Sequence, residues 1–145
     1  MTFVNYQQIK DDLVTLINDS TIEFNYVAAD MDDYERTITN APYCNIALSR
    51  ADNEVTAGNV YTNRAIIEIE IAALDLSSKR EAVTIRDGLV NEVQDLIRNN
   101  AHFSANLEST VLTQVDFEVF GRFDDEDQSF TATALVTCEA IIYSQ

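Results

Sequence analysis

Residues 65–74, AIIEIEIAAL, constrain this chain more than any other stretch. Ile67, Ile69, Ile71 and Ala73 alternate with Glu68 and Glu70, so an extended strand here must bury one face and keep the other polar. A helical period begins a few residues later. Ser78 followed by Glu81 forms a capping box that starts a helix at Ser78, with Ser78 accepting from the Glu81 amide and Glu81 reaching back. Ala82, Ile85, Leu89, Val93, Leu96 and Ile97 then recur on one helical face. Arg98 puts a cation at the negative end of that helix, and Asn100 suits a left-handed cap. Together these segments predict a helix lying on the Ile67, Ile69 and Ile71 face of the strand. Gly88 costs about 1 kcal/mol relative to Ala in mid-helix, and is read as permitting close approach of helix and sheet.

The rest of the chain is placed against this unit. Asn5 with Gln8 caps a first helix whose apolar face is Tyr6, Ile9, Leu13, Leu16 and Ile17, a helix short enough to need the sheet. Residues 21–27 alternate as a strand with Ile22, Phe24 and Tyr26 on one face. Asp30, Asp32, Asp33 and Glu35 form an acidic loop or short helix, and the spacing of a calcium loop is absent. Residues 43–48 read as a second strand, and the polar residues 49–58 as a mobile connection.

The C-terminal third alternates twice. In residues 110–120, Val111, Val115, Phe117 and Val119 take the buried side and Gln114, Asp116 and Glu118 the other. In residues 130–143, Phe130, Ala132, Ala134, Val136, Cys138, Ala140 and Ile142 point inward. A long hairpin with its tip at residues 123–128 follows, in strands longer than usual. The expected architecture is α+β: one antiparallel sheet, two helices on one face and a long C-terminal β-hairpin, in one domain spanning residues 1–145.

On the face opposite the helices this pattern collects Glu68, Glu70, Asp116, Glu118 and Glu139, with Thr131, Thr133 and Thr137 between them. Leu112, Phe120, Leu135, Ile141 and Tyr143 share that face near strand ends, enough apolar surface to imply cover by another chain.

Charge narrows the function classes. Nine basic residues against 25 acidic ones give a net charge of −16, which leaves no basic surface for phosphate contacts. Cys44 and Cys138 lie in apolar or alternating runs and read as buried small hydrophobes of a reducing compartment. No apolar run is long enough for a membrane helix, the first residues lack a signal-peptide layout, and a soluble cytoplasmic product is expected. No catalytic constellation is evident: His102 is the one imidazole and has no nucleophile motif beside it, Gly58, Gly88 and Gly121 are isolated, and the Cys and His spacing fits no zinc pattern. No cofactor or metal is expected. Glu68 with Glu118 would be the candidate acid/base pair, against a background in which carboxylates meet everywhere.

The order of elements, and especially residues 64–74, the Arg86-Asp87-Gly88-Leu89 helix with Val93 to Ile97, and the closing hairpin 110–143, resembles the tail terminator proteins of long-tailed bacteriophages, also called tail-completion or minor tail proteins. The resemblance is one of layout, length and acidity over most of the chain. It implies a tail-tube-like fold and a structural, non-enzymatic virion protein made in the host bacterial cytoplasm. Its copies would form a ring, expected to be hexameric, on the head-proximal end of the tail tube, ending tube growth and presenting a surface to the head-completion or connector protein. DNA would pass through without specific binding. The channel-lining candidates are then Glu68, Glu70, Asp116, Glu118 and Glu139. The candidates for contact between subunits or rings are Arg50, Asp52, Asn53, Glu54, Asp124, Asp125, Glu126, Asp127, Ile141 and Tyr143. Other readings stay open at this point: a different head-to-tail connector or neck ring, a small dimeric ferredoxin-like enzyme with a pocket between packed sheets, and an acidic DNA mimic.

Overall fold

In the computed structural model the described residues are 4–58, 60–104, 107–123 and 128–144, with backbone alone at 38, 56, 57, 122, 123, 128, 143 and 144. The strand at the centre, β3 (Val60–Asp75), is there because its composition permits nothing else. Ile67, Ile69 and Ile71 are fully buried, and each stabilises the fold by about 1.5–3 kcal/mol relative to exposure. A strand with that demand needs neighbours on both sides. The strand before it in the chain, Tyr43–Ala57, lies antiparallel on one side, from Tyr43 opposite Ala72 to Ala57 opposite Val60. The C-terminal strand Gln128–Ser144 lies antiparallel on the other, from Tyr61 opposite Ser144 to Asp75 opposite Phe130. Numbered in chain order, with Tyr26–Ala29 as β1, Tyr43–Ala57 as β2, Ser109–Phe123 as β4 and Gln128–Ser144 as β5, the described strands make one sheet in the order β1-β2-β3-β5-β4.

Both helices cover the isoleucine face. α1 (Tyr6–Asn18) packs over β1 and β2, and α2 (Lys79–Asn99) over β3, β5 and β4. Ile9, Leu13 and Ile17 of α1 and Leu89, Val90, Val93 and Ile97 of α2 join Cys44, Ile46, the β3 isoleucines, Val136 and Cys138 in one core. The α1 start is capped as its sequence predicts, the Gln8 amide donating to Asn5 Oδ1 at 3.0 Å. The start of α2 is capped in a different way from the expected box. The Glu81 amide donates to Ser78 Oγ at 3.2 Å, but the Ser78 amide donates to Asp75 Oδ1 at 2.8 Å, so the reciprocal partner comes from the strand end. Asp75 also accepts from the Ser77 amide and hydroxyl, and these donors hold its carboxyl below the usual aspartate value.

Several expectations are corrected. The sheet is mixed, because β1 runs parallel to β2, with residues 30–42 supplying the crossover that a parallel pair requires. β1 is short and begins at Tyr26; residues 21–25 are not strand, although Ile22 and Phe24 still pack against the core. Residues 49–57 are not a loose connection. They continue β2, because the polar side chains of residues 49–54 are exposed while the ladder to β3 carries on through Arg50 opposite Ile66, Asp52 opposite Arg64 and Glu54 opposite Thr62. Gly58, at φ +56°, sits at the turn, a backbone region that glycine enters without a Cβ penalty.

A register shift at Thr113, between Leu112 and Gln114, exchanges the faces expected for two residues. A bulge adds one residue to one strand, so alternation breaks across it. Leu112 therefore joins the helix face and Val111 the opposite one. In α2 the buried position after Ala82 is Arg86 rather than Ile85, which is 39% exposed. Asn100 is not left-handed, with φ −135°, and instead its side-chain amide donates to the Leu96 carbonyl at 2.8 Å. Gly88 faces solvent, and a Cβ there would meet nothing within 4 Å, so it serves no close packing. Gly88→Ala is accordingly expected to raise the unfolding free energy by about 1 kcal/mol in a urea titration; an unchanged or lowered midpoint would show that the glycine has a packing role after all.

Candidate functional site

The ladders place Glu68, Glu70, Asp116, Glu118 and Glu139 on the sheet face that the helices leave bare. One row runs Asn45, Glu70, Leu135, Asp116; the next runs Ala47, Glu68, Thr137, Gln114. Thr133 pairs with Glu118 on one side of these rows, and Glu139 lies between Ile66 and Val111 on the other. Asp116 and Glu118 are exposed on β4, while Glu68, Glu70 and Glu139 are half-buried in the middle of the sheet. Glu70, Asp116, Glu118, Thr133 and Leu135 line a shallow depression of about 480 Å³.

The chain covers one end of this face itself. Met31 and Tyr43 are buried there with Ala72, packed against Tyr26, Ala28 and Ala41. The segment that brings Met31 in is fastened at several points. The Met31 amide donates to Asn45 Oδ1 at 3.0 Å, and the Asp30 amide to the Ile46 carbonyl at 2.9 Å. Lys10 of α1 pairs with Asp30. Arg36 grips Glu70 with two parallel hydrogen bonds, Nε to Oε1 at 2.8 Å and Nη2 to Oε2 at 2.6 Å, the fork geometry that makes an arginine–carboxylate pair specific. Tyr26 donates its hydroxyl to Glu35 at 2.5 Å, and Asn40 Nδ2 donates to the Glu35 carbonyl at 2.7 Å. The acidic run is thus a strap across the β1–β2 end of the sheet, where it covers Tyr43 and Ala72.

This sorts the carboxylates. Glu70 is committed to Arg36, and Glu139 has Arg64 at 3.6 Å. Glu68, Asp116 and Glu118 make no ion pair among the described residues; Asp116 accepts from Gln114 Nε2 at 2.7 Å. On the far side of the sheet from Glu118, the nearly buried guanidinium of Arg86 donates to the Glu118 and Thr133 carbonyls at 3.1 and 3.4 Å, pairs with Asp87 at 3.0 Å and stacks 4.7 Å over the Phe117 ring. It ties α2 to the β4–β5 ladder directly behind the depression. Arg36, Met31 and Arg86 are the residues that sequence reasoning missed. Only Arg36 left a signal, as the cation ending an acidic run.

The remaining candidates fall elsewhere. Arg50, Asp52, Asn53 and Glu54 are exposed on the β2–β3 arm, with Arg50 Nε bonded to Asp52 at 3.1 Å. Ile141 is half-buried on the bare face opposite Arg64. Asp124, Asp125, Glu126 and Asp127 lie outside the described residues, as does the side chain of Tyr143. His102 lies in the loop after α2, its Nδ1 3.2 Å from the Leu107 carbonyl. Among the described residues no group of His, Cys, Asp and Glu is arranged to hold a metal ion, and no helix is long and apolar enough to cross a membrane. Cys44 and Cys138 are free and buried; burial raises both thiols, Cys138 to about 12.

Comparison with protein-family models and with curated proteins gives no match, so the functional argument rests on this chain's own geometry.

The strap carries a pH dependence. The Tyr26 hydroxyl, and after it the Asp32 amide, hold the Glu35 carboxyl below its ordinary value of 4.5. A carboxyl lowered in the folded state contributes stability that is complete above the unfolded value and is lost as pH falls through the folded one. Tyr26→Phe is therefore expected to lower thermal stability at pH 7, with the gap to wild type closing as pH falls below 4.5. A gap that stays constant into acid would remove the Tyr26–Glu35 bond from the account.

Proposed function

We propose that this chain is the subunit of a ring, hexameric by resemblance, that ends the tail tube of a long-tailed bacteriophage on its head-proximal side and joins it to the head connector. It is a structural virion component, not an enzyme, and its other neighbours are the tail-tube protein and the head-completion protein. The observation that carries this reading is the bare face: Glu68, Asp116 and Glu118 share it without an ion pair among the described residues. Turned inward in a ring, such a face makes a wall that repels passing DNA. With a screening length of about 8 Å at physiological salt, only carboxylates at the channel surface repel the phosphates, so their concentration on one face matters more than the total charge.

Two further features support the reading. β4, a fifteen-residue strand, has a pairing partner on one side only among the described strands. A long open edge invites pairing with another chain unless it is covered, and a closed ring covers it. The β2–β3 arm extends past the level at which β4 begins, since Arg64 is level with Ile141 and Ser109 while the arm continues to Ala57 and Val60. An arm of this kind suits heterologous contact, which closes into a ring when the rotation permits.

Native mass spectrometry of the purified protein, alone and mixed with tail tubes, tests the reading. A closed species of about six copies, or its formation only on tube ends, is the expected result. A tight dimer that neither forms rings nor binds tubes would overturn it.

A further inference from the structure

The strap is fixed at its ends and lightly held between them. At one end the Asp30 amide donates to the Ile46 carbonyl at 2.9 Å, and Lys10 pairs with Asp30. At the other, the Asn25 amide donates to the Pro42 carbonyl at 2.8 Å and Asn25 Nδ2 to the Ala41 carbonyl at 2.7 Å. Between these anchors Met31, its amide tied to Asn45, supplies the one buried apolar side chain described in residues 31–40. Its neighbours Tyr43 and Ala72 belong to strands that their own ladder holds in place. Residues 32–40 then reach the rest of the fold through two polar contacts among the described residues: the Arg36 fork on Glu70, with the Tyr43 hydroxyl beside it, and the Tyr26–Glu35 bond. Their other bonds are internal. The Glu35 and Arg36 amides donate to the Asp32 carbonyl at 2.9 and 3.3 Å, the Asp32 amide to Glu35 Oε1 at 3.2 Å, and Asn40 Nδ2 to the Glu35 carbonyl at 2.7 Å. A segment that keeps its own turns can move as one body. Asp30 also adopts φ +50°, a region that a residue with a Cβ enters at a cost, so the closed strap holds strain at one hinge.

We infer that residues 31–40 are a latch: they swing off the sheet about Asp30 and Ala41-Pro42 while the rest of the fold stays intact, freeing Glu70 from Arg36 and uncovering Tyr43 and Ala72. Local opening takes least free energy where few buried apolar contacts and mostly exposed polar bonds are lost. Here it loses the burial of Met31. The main core is untouched, because Ile67, Ile69, Ile71 and the helices packed on them lie on the other face of the sheet. With the latch closed, Glu68, Asp116 and Glu118 are the carboxylates of the bare face without an ion pair among the described residues. With it open, Glu70 joins them, in the same row as Asp116, and the apolar end of the face becomes accessible. The closed strap is therefore an autoinhibitory cover, withholding one carboxylate and one apolar socket until the Arg36 fork breaks. The latch belongs to the single chain and operates whether or not copies form a ring.

Ala72→Cys in the full-length protein places a thiol beneath the latch, while Cys44 and Cys138, buried in the main core, report global unfolding. Labelling with a small maleimide, located by peptide mass, should modify position 72 at least about tenfold faster than the native thiols and at a rate that low urea does not change. Adding Arg36→Gln should speed labelling at position 72 about tenfold and leave the native thiols as they were. Hydrogen exchange read by NMR repeats the test without the introduced thiol. The Met31 amide should exchange well before the amides of residues 67–71, and Arg36→Gln should accelerate it alone. Labelling of all three thiols in one step, together with Met31 exchanging at the rate of residues 67–71, would overturn the latch. A Met31 amide that opens separately but does not respond to Arg36→Gln would overturn the fork as its fastening.

Discussion

Burial of the β3 isoleucines beneath α2 is the constraint from which the rest of the molecule follows. A strand that alternates Ile67, Ile69 and Ile71 with Glu68 and Glu70 can satisfy the first three only by giving one whole face of the sheet to helices, and it then has no choice about where its carboxylates go. The neighbouring strands must match that division or lose their own burial. β5 does so with Ala134, Val136 and Cys138 inward and Leu135, Thr137 and Glu139 outward, and β4 follows with Asp116 and Glu118 on the outer side. The acidic face is thus the necessary complement of the core.

That division was legible in the sequence wherever alternation was unbroken. The core of β3, the facing of β5, both helices and the five shared carboxylates all come from period counting, which register in the sheet then preserves. What period counting could not see is what breaks or replaces it. The Thr113 bulge exchanges Val111 and Leu112, and a single inserted residue leaves no mark in composition. The extension of β2 through polar residues 49–57 depends on pairing with β3 rather than on burial, so no apolar signal announces it. Arg86 occupies a core position because carbonyls of two strands and the Phe117 ring receive its charge, which is tertiary information. The strap over Tyr43 and Ala72 was hidden for the same reason. Met31, Glu35 and Arg36 are unremarkable in a polar run until Tyr26 and Glu70 are brought beside them.

The strap and the bare face divide the outer surface between stability and interaction. At the β1–β2 end, Arg36 neutralises Glu70 and Met31 closes a small second core, so that end of the face is covered from within the chain. Toward β4 the face stays open, with Phe120 exposed and Asp116 and Glu118 uncompensated by any described cation. Holding like charges together without counter-ions costs stability, and a chain that does so on one face while leaving a strand edge exposed has surfaces suited to assembly.

The proposed function turns the bare face inward on a channel. Electron cryomicroscopy of the protein bound to tail tubes, at a resolution that traces side chains, tests this most directly. The account predicts Glu68, Asp116 and Glu118 on the luminal wall with α1 and α2 outside. Helices lining the lumen and those three carboxylates on the outer surface would contradict it.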